Sequence, residues 1–426
     1  MSGSSSSVST VNIPALYSDL WANRQEYIMF RIAKRVAELT PSLEAKGRAP
    51  LKLSIGAPTV EPPEAFLEQF KQYLSEPGIH TYSTPRGEPF FRQAVATRMQ
   101  QRFGVTVDAN TEVCSLVGSK EGLAHIFRGL ITPRMEPTQQ DIILTPDPGY
   151  ASYVDAIQGA GGFSYPMALL PENDYRPDPE DVIRQLQAEG YDPKRVKAII
   201  LNYPSNPLGA TAPLAYYEKV VAFARQRNIL IISDLAYSEM YFAGEAAPHS
   251  VLEVPGAKDL TIECHSLSKP YSLTGWRIGF AVGCKPAIDL LASVKSTVDS
   301  GIFKAIQKAG AYALTSQACD DFVAKMNQVY EANQQQLVEG FRRLGWPEAT
   351  LKQVPRATFY MWLPVPPRYA SCETFATELL EKSGVVVVPG TAFGGNGEGY
   401  FRMSIVLPPH ELEEVIVRME NDGFTY

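Results

Sequence analysis

Short apolar strands alternate with helical segments along the middle of the chain, and this alternation limits the possible folds more than any other feature. The strands are predicted at residues 113–117, 142–144, 198–201, 229–232 and 260–264. They are rich in β-branched residues and carry no polar face, which is typical of strands buried in a parallel sheet. The alternation therefore predicts an α/β fold, with a large, doubly wound, mostly parallel sheet domain over residues 64–300.

The two ends of the chain follow different patterns. A long helical segment over 301–344, interrupted near Thr315, is followed by apolar strand-like segments at 359–363, 385–388 and 401–406. This order predicts a smaller α+β domain over 301–426, which residues 26–63 join. Residues 1–25 begin serine-rich, without a basic start or an apolar stretch, so we expect a flexible N-terminal arm and not a secretory signal.

Composition excludes several classes of function. The chain has 426 residues, of which 45% are hydrophobic and 20% charged, and its net charge of −7 argues against nucleic acid as a partner. No apolar segment approaches the roughly 20 residues that span a membrane, so none is expected to enter one. The five cysteines and five histidines show no metal-ligand spacing. We therefore expect no metal site, and buried thiols in the reducing cytoplasm.

Lys269 follows an apolar strand, and a second apolar strand begins soon after it. Burial disfavours an ammonium group and lowers its pKa, which suits Schiff-base chemistry. Ser266 and Arg277 lie close in sequence and could hold an anion, for which a phosphate fits best. Taken alone, the lysine is better explained as an ordinary loop residue at a strand end.

Other polar residues follow the predicted strands, at the edge where open α/β sheets bind ligands. Ser119 and Lys120 begin a helix after Gly118, a ready anion site, although simple N-capping by Ser119 also explains them. Asn206 stands before a proline, where a plain Asx-turn is the alternative. Asp234 ends an apolar strand, and a buried carboxylate needs a cationic partner. A protonated ring nitrogen would serve.

These residues carry a resemblance to a known family. The segment 266–279, Ser-Leu-Ser-Lys-Pro-Tyr-Ser-Leu-Thr-Gly-Trp-Arg-Ile-Gly, matches the lysine motif of the class I/II pyridoxal-phosphate-dependent aminotransferases of fold type I. The resemblance extends from about residue 25 onward, and six further motifs occur in the family's order: Tyr82…Gly87, Gly118-Ser119-Lys120, Pro148-Gly-Tyr150, Asn206-Pro-Leu-Gly209, Asp234-Leu-Ala-Tyr237 and Pro389-Gly…Phe393-Gly…Arg402.

The resemblance implies pyridoxal 5′-phosphate as cofactor and assigns the catalytic residues. Lys269 would attach the cofactor covalently and then act as general base on the substrate Cα. Asp234 would pair with the pyridinium nitrogen and keep it protonated. Tyr237 and Asn206 would hydrogen-bond the phenolate oxygen of the cofactor.

The resemblance also implies how the rest of the cofactor is held. The phosphate would be bound by the helix start at Ser119 and Lys120, together with Ser266 and Arg277. Tyr150 would stack on the ring.

For the substrate, the resemblance assigns Arg402 to its carboxylate, with Asn206 and Gly56 lining the same place. Tyr82 would reach the phosphate of a neighbouring subunit, which implies a homodimer with shared active sites. Where many relatives carry a glycine pair before Phe-Tyr, this chain has Arg356-Ala357-Thr358. It also shows no counterpart of the second arginine that reads a dicarboxylate side chain.

Within the family the chain is most similar to the LL-diaminopimelate and alanine aminotransferases. The implied reaction is amino transfer between an L-amino acid and a 2-oxo acid, with glutamate and 2-oxoglutarate as one pair. A carbon–sulfur lyase or a synthase on the same fold is the alternative. A non-catalytic, cofactor-binding regulator is more distant, because only about 25 residues precede the first family-like helix.

Overall fold

The computed structural model describes residues 12–18, 22, 26–134 and 136–426. Most of the predicted N-terminal arm therefore lies outside the described residues, and its flexibility stays a prediction. In the part that is described, residues 13–16 form a short 3-10 helix whose side chains are all exposed.

Three sheets are formed by the described residues. Their strands are β1 Leu51–Lys52, β2 Val113–Leu116, β3 Ile142–Asp147, β4 Phe163–Ala168, β5 Val196–Leu201, β6 Leu230–Asp234, β7 Thr261–Ser266, β8 Gly279–Gly283, β9 Tyr360–Pro364, β10 Val385–Val386, β11 Val388–Pro389 and β12 Tyr400–Ser404.

The largest sheet has seven strands in the order β2-β8-β7-β6-β5-β3-β4. Strands β3 to β7 run parallel to their neighbours among themselves, whereas β8 is antiparallel to both β2 and β7. The prediction of an α/β, mostly parallel sheet is confirmed, and all five predicted strands are present within a few residues of their expected bounds. Because the parallel strands end along one edge, residues that follow them meet there.

One strand of this sheet was missed by the sequence analysis. Strand β4 contains Pro166, and a proline argues against a strand because it removes a ladder hydrogen bond. It pairs only with β3 and forms the edge of the sheet, where a proline is tolerated.

Helices cover both faces of the large sheet, and others pack on the smaller sheets. The longer helices are α1 Ile28–Glu44, α2 Glu64–Tyr73, α3 Pro89–Phe103, α4 Ser119–Leu130, α5 Ser152–Gly159, α6 Pro179–Ala188, α7 Leu214–Arg227, α8 Lys285–Ser296, α9 Lys304–Thr315, α10 Gln317–Arg343, α11 Glu348–Leu351, α12 Cys372–Ser383 and α13 Pro409–Asn421. Helices α4 and α8 pack side by side, and α9 packs on α2 and α3.

A separate core lies beneath the three-stranded antiparallel sheet β11-β12-β9. Its buried side chains include Phe341, Phe359, Phe375 and Phe401. The interruption expected near Thr315 is where α9 ends and α10 begins. The division into a large domain over 64–300 and a small one over 26–63 and 301–426 stays a prediction.

All five cysteines are free and buried, as expected. Within the described ranges, no helix combines the length and the apolar character that crossing a bilayer requires.

Candidate functional site

A cleft of about 270 Å³ opens at the edge where the parallel strands of the large sheet end. It also receives side chains from β9, β12 and the segment before α1. Every site residue predicted from sequence lines this cleft except Tyr82: Gly56, Ser119, Lys120, Tyr150, Asn206, Asp234, Tyr237, Ser266, Lys269, Arg277 and Arg402.

Lys269 lies at the centre of the cleft, three residues beyond the end of β7. Its Nζ donates a hydrogen bond to the carbonyl oxygen of Gly56 at 2.7 Å. Burial lowers the pKa of Lys269 to about 8, and the positive charges of Arg402 and Arg277 act in the same direction, against the weaker opposing effect of Asp234. A substantial fraction of this amine is therefore uncharged near neutral pH, as nucleophilic chemistry requires.

Asp234, the last residue of β6, is buried with 5% of its surface exposed. Its Oδ2 accepts a hydrogen bond from the hydroxyl of Tyr153 at 2.7 Å, while Oδ1 has no partner among the described residues. Burial raises the pKa of Asp234 to about 6, partly offset by the Tyr153 hydrogen bond and the charge of Lys269. A buried carboxylate oxygen without a partner indicates a place for a cationic donor.

Arg402 projects from β12 into the same cleft and is 4% exposed. Its Nη1 donates to Asn206 Oδ1 at 3.0 Å and its Nη2 to the carbonyl of Ser54 at 2.8 Å. The guanidinium lies 4.4 Å from the ring centre of Tyr360 and 4.9 Å from that of Phe393. Its charge has no carboxylate partner among the described residues, which suits it to a substrate carboxylate.

Gly56 lies beside this arginine and packs tightly against Tyr360. A Cβ atom at Gly56 would lie 2.7 Å from the hydroxyl of Tyr360, so no larger residue fits without displacement. That hydroxyl lies 3.0 Å from the hydroxyl of Tyr237. Burial raises the pKa of both tyrosines, so both hydroxyls stay protonated and can donate hydrogen bonds at neutral pH.

An anion cup, formed by Gly118, Ser119, Ser266 and Arg277, lies at one end of the cleft. Gly118 has a φ of +78° and precedes the first turn of α4, so Ser119 is the first helical residue and not its N-cap. The first N–H groups of a helix have no partner within it and attract anions. Arg277 stands beside this turn, its Nη2 donating to the carbonyl of Val117 at 3.2 Å.

Two predicted residues lie somewhat differently from the rest. The Nζ of Lys120 is 5.4 Å from the ring centre of Tyr27 and 5.7 Å from that of Tyr150, so it faces the aromatic wall of the cleft. Tyr82 is 85% exposed and lies outside the cleft. A phosphate contact of Lys120, and one of Tyr82 to a neighbouring subunit, stay predictions.

Several residues that shape the cleft were missed from the sequence. Asn202 follows β5 and donates from Nδ2 to the carbonyl of Asp234 at 2.8 Å. Its position directly after a buried strand was an available signal. Tyr153, three residues after Tyr150, could have been found by helical spacing, whereas Tyr27 and Tyr360 come from distant parts of the chain and gave no signal.

Pyridoxal 5′-phosphate fits the residues that are present. The unpartnered Oδ1 of Asp234 matches a protonated ring nitrogen, the anion cup matches a phosphate, and Lys269 offers an amine to an aldehyde. Asp234, Lys269 and the cup residues Ser119, Ser266 and Arg277 all line the same cleft.

Comparison with known proteins agrees with this geometry. The sequence model described as "Aminotransferase class I and II" matches residues 48–419. The LL-diaminopimelate aminotransferase of Nitratidesulfovibrio vulgaris is 40% identical over 403 residues, covering 92% of this chain and 99% of the relative. That of Moorella thermoacetica is 41% identical over 397 residues, covering 92% of this chain and 95% of the relative.

Solved structures share the fold. Substrate-bound BacF from Bacillus subtilis superposes with a TM-score of 0.85 at 30% identity, covering 95% of this chain and 97% of BacF. The aspartate aminotransferase of Thermus thermophilus with maleate gives a TM-score of 0.84 at 28% identity, covering 95% and 99% of the two chains. The fold is thus fold type I, and the chain belongs to the class I and II aminotransferases, a family of enzymes that use pyridoxal phosphate.

Proposed function

We propose that this enzyme transfers the amino group of LL-diaminopimelate to 2-oxoglutarate and so forms glutamate. Relatives that are 40–41% identical over nearly the whole chain bear the name LL-diaminopimelate aminotransferase. Alanine is the alternative donor. The arrangement of Lys269, Asp234 and Arg402 in one cleft carries the proposal, because an amine, an unpartnered carboxylate oxygen and a guanidinium without a carboxylate partner among the described residues line the same cleft.

The cofactor would be held by groups already in place. Asp234 Oδ1 would accept a hydrogen bond from the ring nitrogen, and Asn206 and Tyr237 would donate to the phenolate oxygen. Ser119, Lys120, Ser266 and Arg277 would bind the phosphate, with Tyr150 against the ring. When bound, pyridoxal 5′-phosphate supplies an aldehyde for covalent capture and a ring that withdraws electrons from the substrate.

Lys269 has two roles in this proposal. Its amine would hold the cofactor, and with the substrate bound its Nζ would accept the proton from the substrate Cα and act as the proton donor later in the reaction. Asp234 keeps the ring nitrogen protonated through its negative charge. The depressed pKa of Lys269 favours the proton-accepting form of the amine near pH 8.

Arg402 orients the substrate. A planar guanidinium binds a carboxylate through two parallel hydrogen bonds, which fixes the direction of the Cα–H bond. Gly56 lies next to Arg402 without a side chain, and any side chain there would be forced against the hydroxyl of Tyr360. The aromatic rings around Arg402 exclude water from the pair.

The same proposal includes a homodimer in the cytoplasm, in which Tyr82 of each subunit contacts the phosphate bound by its neighbour. Tyr82 and Phe303 are both exposed large apolar side chains, at 85% and 38% exposure. Such side chains favour burial against a second copy of the chain. Sedimentation of the purified protein tests this directly.

Donor preference tests the substrate assignment. Purified protein with bound pyridoxal 5′-phosphate is supplied with 2-oxoglutarate and LL-diaminopimelate, alanine or aspartate, and glutamate formation is measured. We expect the highest kcat/KM with LL-diaminopimelate. A higher value with alanine or aspartate would replace the proposed donor.

The lyase alternative makes a different prediction. A carbon–sulfur lyase releases a thiol, a 2-oxo acid and ammonia without an acceptor, whereas an aminotransferase converts its cofactor to the amine form with L-glutamate.

A matched pair of variants locates the residue that contacts the substrate carboxylate. Arg402→Lys should raise the KM for the donor about tenfold or more, while Arg356→Lys, on an ion pair with Glu245 outside the cleft, should leave it unchanged.

A further inference from the structure

A charged cluster with one fully buried lysine and three partly buried partners lies next to the anion cup. The side chain of Lys295, near the end of α8, is 0% exposed. Its Nζ lies 2.8 Å from Glu121 Oε1 and 2.9 Å from Asp299 Oδ2, and His125 Nε2 lies 3.1 Å from the same oxygen of Glu121. None of these four residues, here called the Lys295 cluster, lines the cleft.

Such a cluster is not explained by stability alone. Removing charges from water is costly, and well-packed apolar side chains in the same space are often as stabilising or more so. The hydrogen bonds between the Lys295 cluster and other residues therefore indicate which backbone segments the cluster keeps in place.

One of these bonds leads to the anion cup. Glu121 Oε2 accepts a hydrogen bond from the backbone N–H of Val117 at 3.0 Å. The carbonyl of the same residue accepts from Arg277 Nη2 at 3.2 Å. Val117 immediately precedes Gly118, so its backbone is held at its N–H by the partly buried carboxylate of Glu121 and at its carbonyl by the arginine of the cup.

A second bond leads toward the segment that carries Tyr82. Asp299 Oδ1 accepts from the backbone N–H of Gly301 at 2.9 Å. Gly301 has a φ of +90°, and a Cβ atom there would lie 2.4 Å from the carbonyl of Thr84. Through Glu121 and Asp299, Lys295 thus connects the turn of the cup with the backbone near Thr84, two residues after Tyr82.

The cluster also resembles a metal site, because Glu121, His125 and Asp299 present ligand atoms close together. The ammonium of Lys295, however, lies within hydrogen-bond distance of both carboxylates and already supplies the positive charge there. A metal ion is therefore not needed to balance this group.

We propose that Lys295 and Glu121 are positioning residues that hold the anion cup in its phosphate-binding shape before the cofactor arrives. The inference rests on the proposed function of the cup. A turn that is already held in place loses less freedom when it binds an anion, which increases affinity. Neither residue touches the phosphate, so both act through Val117 and the start of α4.

Binding of two forms of the cofactor tests the proposal without reference to activity. Full-length protein freed of cofactor is titrated with pyridoxal 5′-phosphate and with pyridoxal, which lacks the phosphate, and tyrosine and tryptophan fluorescence reports binding. The variants are Lys295→Met and Glu121→Gln. The matched control is Lys285→Met, on the same helix, whose exposed partner Asp289 also lies four residues on.

We expect the Kd for pyridoxal 5′-phosphate to rise at least tenfold in Lys295→Met and severalfold in Glu121→Gln. The control should stay within twofold of the natural protein, and the Kd for pyridoxal should change little in all variants. Equal losses for both ligands would show a general structural role and overturn the proposal. So would an unchanged Kd for pyridoxal 5′-phosphate.

Two safeguards separate the possible failures. If Lys295→Met does not fold, Glu121→Gln decides, because it keeps the pair between Lys295 and Asp299 while leaving one amide oxygen to serve both Val117 and Lys295. If the natural protein does not bind pyridoxal 5′-phosphate more tightly than pyridoxal, the proposed function of the cup fails. If it does and the variants match it, only the positioning role fails.

Discussion

Burial works against the charge of two lysines in the described part of the chain, Lys269 and Lys295, but their neighbours shift their pKa values in opposite directions. Lys269, in the cleft, faces two arginines and one carboxylate, and its pKa is lowered to about 8. Lys295, behind the cup, lies against two carboxylates, and their charges and hydrogen bonds outweigh burial and raise its pKa. Burial opposes the charge in both places, so the partners decide the outcome.

The difference separates a reactive group from a structural one. The ammonium of Lys295 has both of its carboxylate partners within the protein, and nothing is left for a ligand to supply. Within the ranges that the structure describes, Lys269 has only the carbonyl of Gly56 as a hydrogen-bond acceptor, and one oxygen of the nearby Asp234 has no partner. Charged groups that the fold leaves incompletely paired indicate where a ligand completes the pairing.

Loss of the reactive lysine should have the largest effect on catalysis. Lys269→Ala removes both the covalent attachment point and the general base, so we expect transamination to fall by about 10⁴-fold or more. Binding of the cofactor should persist through Arg277, Asp234 and Tyr150. The measurement is glutamate formation in single turnover with the variant loaded with cofactor. Substantial residual transamination would contradict the role of Lys269.

The free energy of unfolding should depend more on Lys295 than on Lys269, the reverse of what is expected for catalysis. Lys295→Met leaves two partly buried carboxylates without their cation and should lower the free energy of unfolding by about 1.5–3 kcal/mol at pH 7. Lys269→Met should leave it unchanged or raise it. The unfolded chain binds the Lys269 proton more tightly than the folded chain, so this ammonium costs stability below about pH 8, and the cost fades between about 8 and 10.5.

Urea unfolding of the cofactor-free proteins, at one protein concentration, measures both changes. Lys285→Met again provides the control and should have almost no effect, because exposed ion pairs contribute little. Equal destabilisation by Lys269→Met and Lys295→Met would remove the distinction between the two sites.

The smallest of the expected effects is a dependence on pH. It concerns the rate at which Lys269 binds the cofactor covalently. Only the neutral amine of Lys269 attacks the aldehyde, so the rate should rise about tenfold per pH unit below about pH 8 and level off above it. Absorbance after rapid mixing of cofactor-free protein with pyridoxal 5′-phosphate follows the reaction. Lys285→Met should share the midpoint, whereas a midpoint near 10.5 would show that Lys269 is not perturbed.

The sequence predicted the parts of the site that lie next to strand ends. Asp234 ends β6 and Lys269 follows β7 by three residues, and the apolar strands together with the lysine motif predicted both. Tyr360 and Tyr27 were missed because they reach the cleft from the three-stranded sheet and from the segment before α1. Their contribution depends on how distant elements pack, which local patterns do not encode.

The Lys295 cluster was missed for a related reason. Glu121 and His125 are four residues apart on α4, which on a helix indicates nothing beyond a shared face. Their partner lies on α8, 174 positions from Glu121 in the chain.

Pro166, which concealed β4 from the sequence analysis, has a consequence for the molecule in a crowded cell. The N–H groups of Phe163 and Leu169 donate to the carbonyls of Asp141 and Asp147, so the odd-numbered residues of this stretch face β3. Pro166 lies at an exposed position facing away from the sheet. An open sheet edge can recruit strands of other chains, and a proline there offers no donor to them. Pro166 thus disfavours aggregation of the enzyme through this edge.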